Sequence, residues 1–396
     1  MKVLRLICII FASEKKTVNS AENMTLIQKQ FFALVQSGLW GTTADVTLFD
    51  IQTDWQQLYQ SAKAQALLGI AFDGMQTLPQ ELRPKRELYL KWCNTLLQIE
   101  ENNHILNQEI AKVFTLYRAN QIEPVLLKGQ GVALNYRNPL HRQCGDIDLY
   151  IGPKNYEKAN KLLRQESTSE HEENHKRTCI HWHDVDIENH RVLSRLSSPS
   201  SDRSFQREIA RWHGTSACRN LEIEGYPVTL PPLSFDAAYV LMHSALHFLN
   251  EGIGLRQVCD WANILHAQRK EIDLKETARL LQEWGLSKAA KIFGVVAVNY
   301  LGLPIEELPI PYTEKDIKTG EWLLSDIWQG GNFGKFDQKR KQRPKGYWRG
   351  KWYTFTRAGQ RCREFGALAP AEARWYPLML AAHSAQVQWN KLLNRI

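Results

Sequence analysis

The chain has 396 residues, 43% hydrophobic and 23% charged, which excludes a disordered or fibrous polypeptide and supplies enough apolar surface for a buried core. The formal net charge of +8 admits an anionic partner, whether nucleotide, nucleic acid or acidic membrane surface, without selecting one. The cysteines are scattered and form no C-x-x-C pair, which argues against a zinc ribbon or a disulfide framework and points to a reducing cytoplasm.

Lys2 and Arg5 precede the apolar run Leu6 to Ala12, a pattern resembling a short signal peptide. Glu14-Lys15-Lys16 ends the run, and Ile7 before Cys8 does not suit a lipoprotein cleavage site. Residues 1–23 therefore read as a non-native or disordered extension, with the folded chain starting near Met24. No segment approaches the ~20 apolar residues of a membrane span.

Residues 24–121 read as a helical region. Leu26, Phe31, Phe32, Leu34 and Val35 form an apolar stripe ending near Gly38 and Gly41. Trp55 to Met75 and Leu82 to Asn120 repeat the helical period, the second through Leu88, Trp92, Leu96, Ile99, Leu106, Ile110 and Val113. The character changes at Pro124, where an α/β core over 122–232 begins. Val125 to Leu127 is a short strand, Lys128 to Gly131 a turn, and Val132 to Tyr136 the start of a helix broken by Asn138-Pro139. Ile147 to Ile151 is a second strand, followed by a helix opened by Pro153. Residues 167–176 are polar and read as a loop, and Thr178–His183 and Val185–Val192 read as a hairpin around Asp184. After a Ser/Pro-rich connection at 194–204 and a short strand at Val228 to Pro231, residues 233–396 return to helix. Phe235 to Leu249, Leu255 to His266, Leu274 to Trp284, Ser287 to Leu301 and Pro370 to Leu393 carry apolar helical periods, interrupted by a basic loop at 335–351.

The chemistry concentrates in Gly145-Asp146-Ile147-Asp148. On a strand, residues i and i+2 share a face, so Asp146 and Asp148 project together while Ile147 and Leu149 point the other way. Paired carboxylates repel, and a divalent cation removes that cost. Upstream, Lys128-Gly129 sits between a buried strand and a helix, a place where backbone N–H groups and a lysine can meet a triphosphate. Downstream, Val185-Asp186-Ile187-Glu188 offers a third carboxylate, with Asp186 and Glu188 on one face. Each element alone also fits a bland role: an exposed acid pair, a tight turn, a solvated strand.

Together these residues resemble the uncharacterised nucleotidyltransferase family of bacteria, within the DNA polymerase beta-like nucleotidyltransferase superfamily. The resemblance rests on Leu127-Lys128-Gly129, Arg142, Gly145-Asp146-Ile147-Asp148 and Val185-Asp186-Ile187-Glu188-Asn189-His190. It extends to Phe32 through Trp40 and to Gly252 through Trp261. The superfamily's usual Gly-Ser in the phosphate turn is Lys128-Gly129 here, so phosphate contacts do not transfer from better-known members. The resemblance implies an α+β fold with a small mixed sheet flanked by N- and C-terminal helical regions. It further implies metals (Mg²⁺, or Mn²⁺) on Asp146, Asp148 and Glu188, with Asp186 as the runner-up third acid. Lys128, Gly129 and Arg142 would bind the nucleotide. The implied reaction moves a nucleoside monophosphate from a nucleoside triphosphate to a hydroxyl acceptor, on a small molecule, a sugar, RNA or a protein, and releases pyrophosphate.

Two other functions compete. The chain can be read as a catalytically silent nucleotide-binding or regulatory module of the same fold. It can also be read as an RNA-binding protein using Lys339, Arg340, Lys341 and neighbouring aromatics of the 335–351 stretch. His181, His183 and His190 with Asp186, flanked by His171 and His175, suggest zinc, though their spacing matches no recognised zinc pattern. His243 and His247, one turn apart, read as a buried hydrogen-bonded pair, and Arg256 with Asp260 as an intrahelical ion pair, for which the resemblance also implies a place near the nucleotide.

Overall fold

A computed structural model describes residues 24–173, 177–250, 252–334 and 365–379, together with Gly346 and Cys362. The 1–23 extension, most of the 335–351 basic loop and the helix expected beyond residue 379 lie outside the described residues.

The N-terminal region opens with α1 (Leu26–Trp40), α2 (Trp55–Ala64), α3 (Leu68–Gln76) and the 34-residue α4 (Arg86–Ala119). Thr25 and Gln28 form a capping box that starts α1, and Gly41 ends it at φ 71°, a conformation that costs glycine little. The continuous helical period over Trp55 to Met75 is in fact two helices. The chain breaks at Gln65 and Ala66, where Ala66 takes φ 55°. Gln65 is buried and its side-chain amide spans the break, bonding the Ile327 carbonyl and the Leu255 N–H.

The sheet is built from β1 (Val125–Leu127), β2 (Ile147–Tyr150), β3 (Ser167–Glu173), β4 (Arg177–Trp182) and β5 (Val185–His190), in the order β1-β2-β5-β4-β3. Only β2 and β5 run parallel, so the sheet is mixed and the protein is α+β. β3 corrects the loop expected at 167–176. It is an edge strand, paired only to β4, and its polar sequence hides the strand signal because alternation is read from buried faces. Between the strands lie α5 (Gly129–Ala133) and α6 (Gly152–Arg164). α5 begins earlier than expected and is a single turn, so a helix dipole adds little there.

The chain continues through α7 (Pro199–Trp212) and the hairpin β6 (Arg219–Ile223) and β7 (Tyr226–Leu230). It then runs through α8 (Leu233–Asn250), α9 (Leu255–Ala267), α10 (Leu274–Glu283), α11 (Ser287–Asn299) and α12 (Glu314–Gly330). None of the described helices is long and apolar enough to cross a membrane.

Strand alternation divides the apolar side chains between two cores. Ile147, Leu149, Val185 and Ile187 pack with Ile110, Val113 and Phe114 of α4 and with Ala159 and Leu163 of α6. Val125, Leu127 and Tyr150 face the other way, into a larger core shared by the first helices and the C-terminal helices. Trp92, Leu96 and Ile99 on the first half of α4 join that second core, so α4 spans both. Phe31 packs edge-on against Trp328, and the Trp40 indole bonds the Leu301 carbonyl, tying α1 to the C-terminal helical region. Acids on the Tyr150 face of β2 therefore look toward the C-terminal helices.

Candidate active site

Parallel pairing of β2 with β5 sets Asp148 directly opposite Glu188 and Ile147 opposite Ile187. Alternation along β5 then places Asp186, Glu188 and His190 on one face. All of these except His190, together with Asp146, line a cleft of ≈ 690 Å³ whose other lining residues include His243, His247, Arg256 and Asp260 of α8 and α9.

Asp148 is the most heavily engaged acid. Its Oδ2 lies 2.9 Å from the Lys128 ammonium and its Oδ1 accepts from His190 Nε2 at 2.8 Å. Burial works to raise its pKa, but the Lys128 charge and the His190 hydrogen bond outweigh burial and hold the carboxyl well below the usual range. His190 also lies 3.5 Å from Glu188 Oε2, and its pKa is raised because these two carboxylates overcome its burial. Donor atoms of Asp148, Glu188 and His190 lie within 4.8 Å of one another, a buried triad that could bind a metal ion. Glu188 also pairs with Arg177 across the β4–β5 ladder.

Asp146 stands one residue before β2 rather than on it, and its side chain is accessible to solvent. Its carboxyl is pushed up to about 6, first by the Asp148 charge and then by desolvation in the cleft. The site thus holds more negative charge than Lys128 neutralises. Asp186 is half-exposed at the cleft margin and bonds His181 Nδ1 at 2.9 Å.

Lys128 takes a positive φ of 48° with ψ −137°, unusual for a residue with a Cβ, and Gly129 follows at φ 37°. This turn carries the Lys128 ammonium between Asp148 and His243 Nε2, 3.3 Å away. Burial and the Lys128 charge hold the His243 pKa far below the usual histidine value, so the ring is neutral and accepts from the ammonium. In place of the buried hydrogen-bonded pair expected of them, the half-buried His243 and His247 meet ring to ring, edge-on, with centroids 4.3 Å apart. The turn and the following loop are braced from α4: the Asn103 amide donates to the Leu140 and Arg142 carbonyls and accepts from Gln130.

Arg142 is buried, and Asp260 holds it bidentately through Nε and Nη2 at 2.7 and 2.8 Å. Tyr136 donates a further 2.7 Å bond to Asp260. The ion pair expected between Arg256 and Asp260 within α9 is therefore replaced by one across 118 residues of chain. The histidines of the zinc reading go to separate partners: His181 to Asp186, His183 to Glu109 at 2.6 Å and His190 to Asp148. His175 and the His171 side chain lie outside the described residues.

Sequence reasoning reached Asp146, Asp148, Asp186, Glu188, Lys128, Gly129 and Arg142, and the fold gathers all seven around one cleft. It missed Arg177, whose strand position opposite His190 was the available signal, and the contact of His243 with Lys128, for which no local signal exists. Neither a curated protein nor a solved structure matches the chain. A family model described as an uncharacterised nucleotidyltransferase matches residues 52–302, more than half the chain and the whole of the sheet and cleft-lining helices α8 and α9. The chain belongs to that nucleotidyltransferase family.

Proposed function

We propose that this protein is a metal-dependent nucleotidyltransferase that moves a nucleoside monophosphate from a nucleoside triphosphate to a hydroxyl acceptor and releases pyrophosphate. The observation that carries the reading is the convergence of Asp148, Glu188 and His190 beside Asp146 and the Lys128-Gly129 turn, in a family of nucleotidyltransferases. One acid just before β2, a second on it and a third on the adjacent parallel strand support a polymerase-beta-like core over 122–232, between helical regions at 24–121 and 233–396.

Asp146, Asp148 and Glu188 would hold Mg²⁺ or Mn²⁺; of these, Asp148 and Glu188 already converge with His190, carboxylate oxygens suit both ions, and the imidazole is tolerated better by Mn²⁺. A bound divalent ion would lower the acceptor hydroxyl's pKa and offset charge on the phosphates. The remaining work falls to the chain. Glu188, held by Arg177, takes the proton as the acceptor oxygen bonds to the α-phosphorus and the bond to pyrophosphate breaks. Asp186 is the alternative base. Lys128 turns from Asp148 to the phosphates, and Gly129 admits the nucleotide close to the backbone. Arg142, spent on Asp260, contributes a fixed positive field. All six described cysteines are free, which supports a cytoplasmic location.

The test is transfer of label from α-³²P nucleoside triphosphates, with Mg²⁺ or Mn²⁺, into pooled RNA, sugars, small metabolites and protein. Wild-type protein should label one class, and Asp146→Asn should not; equal labelling by the variant overturns the assignment. One observation favours a silent nucleotide-binding module instead: the Lys128 ammonium already compensates Asp148 at 2.9 Å. Metal-dependent nucleotide binding without product in any pool would select that reading.

A further inference from the structure

Among the described residues, four cationic side chains line the cleft: Lys128, Arg142, Arg177 and Arg256. Three are committed to carboxylates, Lys128 to Asp148, Arg142 to Asp260 and Arg177 to Glu188. Arg256, on the first turn of α9, makes no ion pair among the described residues. Its Nη1 donates to the Gln143 carbonyl, and its Nε is buried without a hydrogen-bond partner. Asp260, one turn away, is filled by Arg142 and the Tyr136 hydroxyl. Two buried guanidinium groups thus have one carboxylate between them, and Arg142 holds it. Burial and the Arg142 charge push the Arg256 pKa down by more than the nearby Asp260 charge restores. An unpaired guanidinium with a buried, unsatisfied donor is costly unless a ligand completes it.

The position of the charge narrows the ligand. Arg256 and Asp146 line the same cleft, and the Arg256 charge works to lower the Asp146 pKa. A molecule bridging them needs one end suited to the acids' cation and a second, strongly anionic end suited to a planar guanidinium fork. The nucleoside triphosphate of the proposed reaction has that form, and this inference rests on that reading. We infer that Arg256 seats the β- and γ-phosphates, the part that departs as pyrophosphate, and so selects triphosphates over monophosphates by chain length.

The experiment measures magnesium pyrophosphate binding by calorimetry, and its effect on thermal unfolding, for wild type, Arg256→Gln, Arg256→Lys and the exposed-site control Arg203→Gln. A charged hydrogen bond of this kind accounts for about tenfold to a hundredfold in affinity. Arg256→Gln should lose at least about tenfold and Arg256→Lys should fall between, while Arg203→Gln binds as wild type. Without ligand, Arg256→Gln should unfold no earlier than wild type, because the substitution removes an unpaired charge. Pyrophosphate should then raise the unfolding temperature of wild type and not of the variant. Unchanged pyrophosphate affinity in Arg256→Gln overturns the inference, as does failure of wild type to bind pyrophosphate. The two readings separate cleanly. Arg256-dependent pyrophosphate binding in a protein that labels no acceptor sustains the seat and removes the enzyme. Label transfer with pyrophosphate inhibition unaltered in Arg256→Gln does the reverse.

Discussion

The sheet side of the cleft carries Asp146, Asp148, Asp186 and Glu188, while the helical side carries Arg256 and the Arg142–Asp260 pair. The two sides are unlike in origin as well as in charge. On the sheet side, neighbours in sequence are neighbours in function, because strand alternation puts i and i+2 on one face. On the helical side, the contacts join residues more than a hundred positions apart, as in Lys128 with His243 and Arg142 with Asp260. The acidic side is a local pattern; the basic side is a product of docking α8 and α9 against the loop between β1 and β2.

The largest effect should come from the acidic side. Asp146→Asn should lower transfer by about a thousandfold, the loss of ~4 kcal/mol of metal-dependent stabilisation. Because Asp146 is exposed, the denaturation midpoint should stay near that of wild type; a collapse of both together would mean the acids hold the fold rather than the chemistry. On the basic side the order reverses. Asp260→Asn leaves the Arg142 charge buried and unpaired beside Arg256, and should cost ~3–5 kcal/mol in urea titrations. Asp186→Asn breaks only a half-exposed pair with His181 and should cost less than ~1 kcal/mol. Similar losses for Asp260→Asn and Asp186→Asn would erase the distinction between the two sides.

Smaller effects test the connection between them. Gly129→Ala places a Cβ at φ 37° and 3.4 Å from the Asp146 carbonyl, which should cost ~1 kcal/mol by the same titrations and weaken nucleotide binding. The smallest effect concerns His141, which clamps the loop between the two sides. Its ring bonds Asp73 Oδ1 at 2.7 Å and Glu100 at 2.8 Å. Burial works to lower its pKa, but the two carboxylates raise it above the ordinary 6.5. A raised histidine stabilises fully below its unfolded pKa and loses that contribution as pH rises through its folded one. Urea midpoints should therefore fall as pH rises from the ordinary histidine range through the raised folded value, and should fall less in His141→Gln. An identical pH dependence in the variant removes the clamp.

The helices were legible because burial on one face leaves a 3.6-residue imprint, seen in Trp92, Leu96 and Ile99 of α4. β2 and β5 were legible because each has one apolar face and one polar face. β3 was not, since its polar edge sequence carries no such contrast, and the break at Ala66 was not, since the apolar period of α2 and α3 runs through it. The acid pair, the Lys128-Gly129 turn and the third carboxylate could be found because strand geometry is a property of consecutive residues. By itself, then, the sequence determined the fold class, the strand faces and the acids that converge. Only the tertiary structure decided which carboxylate each cation answers: that Asp260 serves Arg142, that Lys128 rests between Asp148 and His243, and that Arg256 is left without one among the described residues. Ion pairing depends on distance in space and on desolvation, and neither is written in the spacing of residues along a chain.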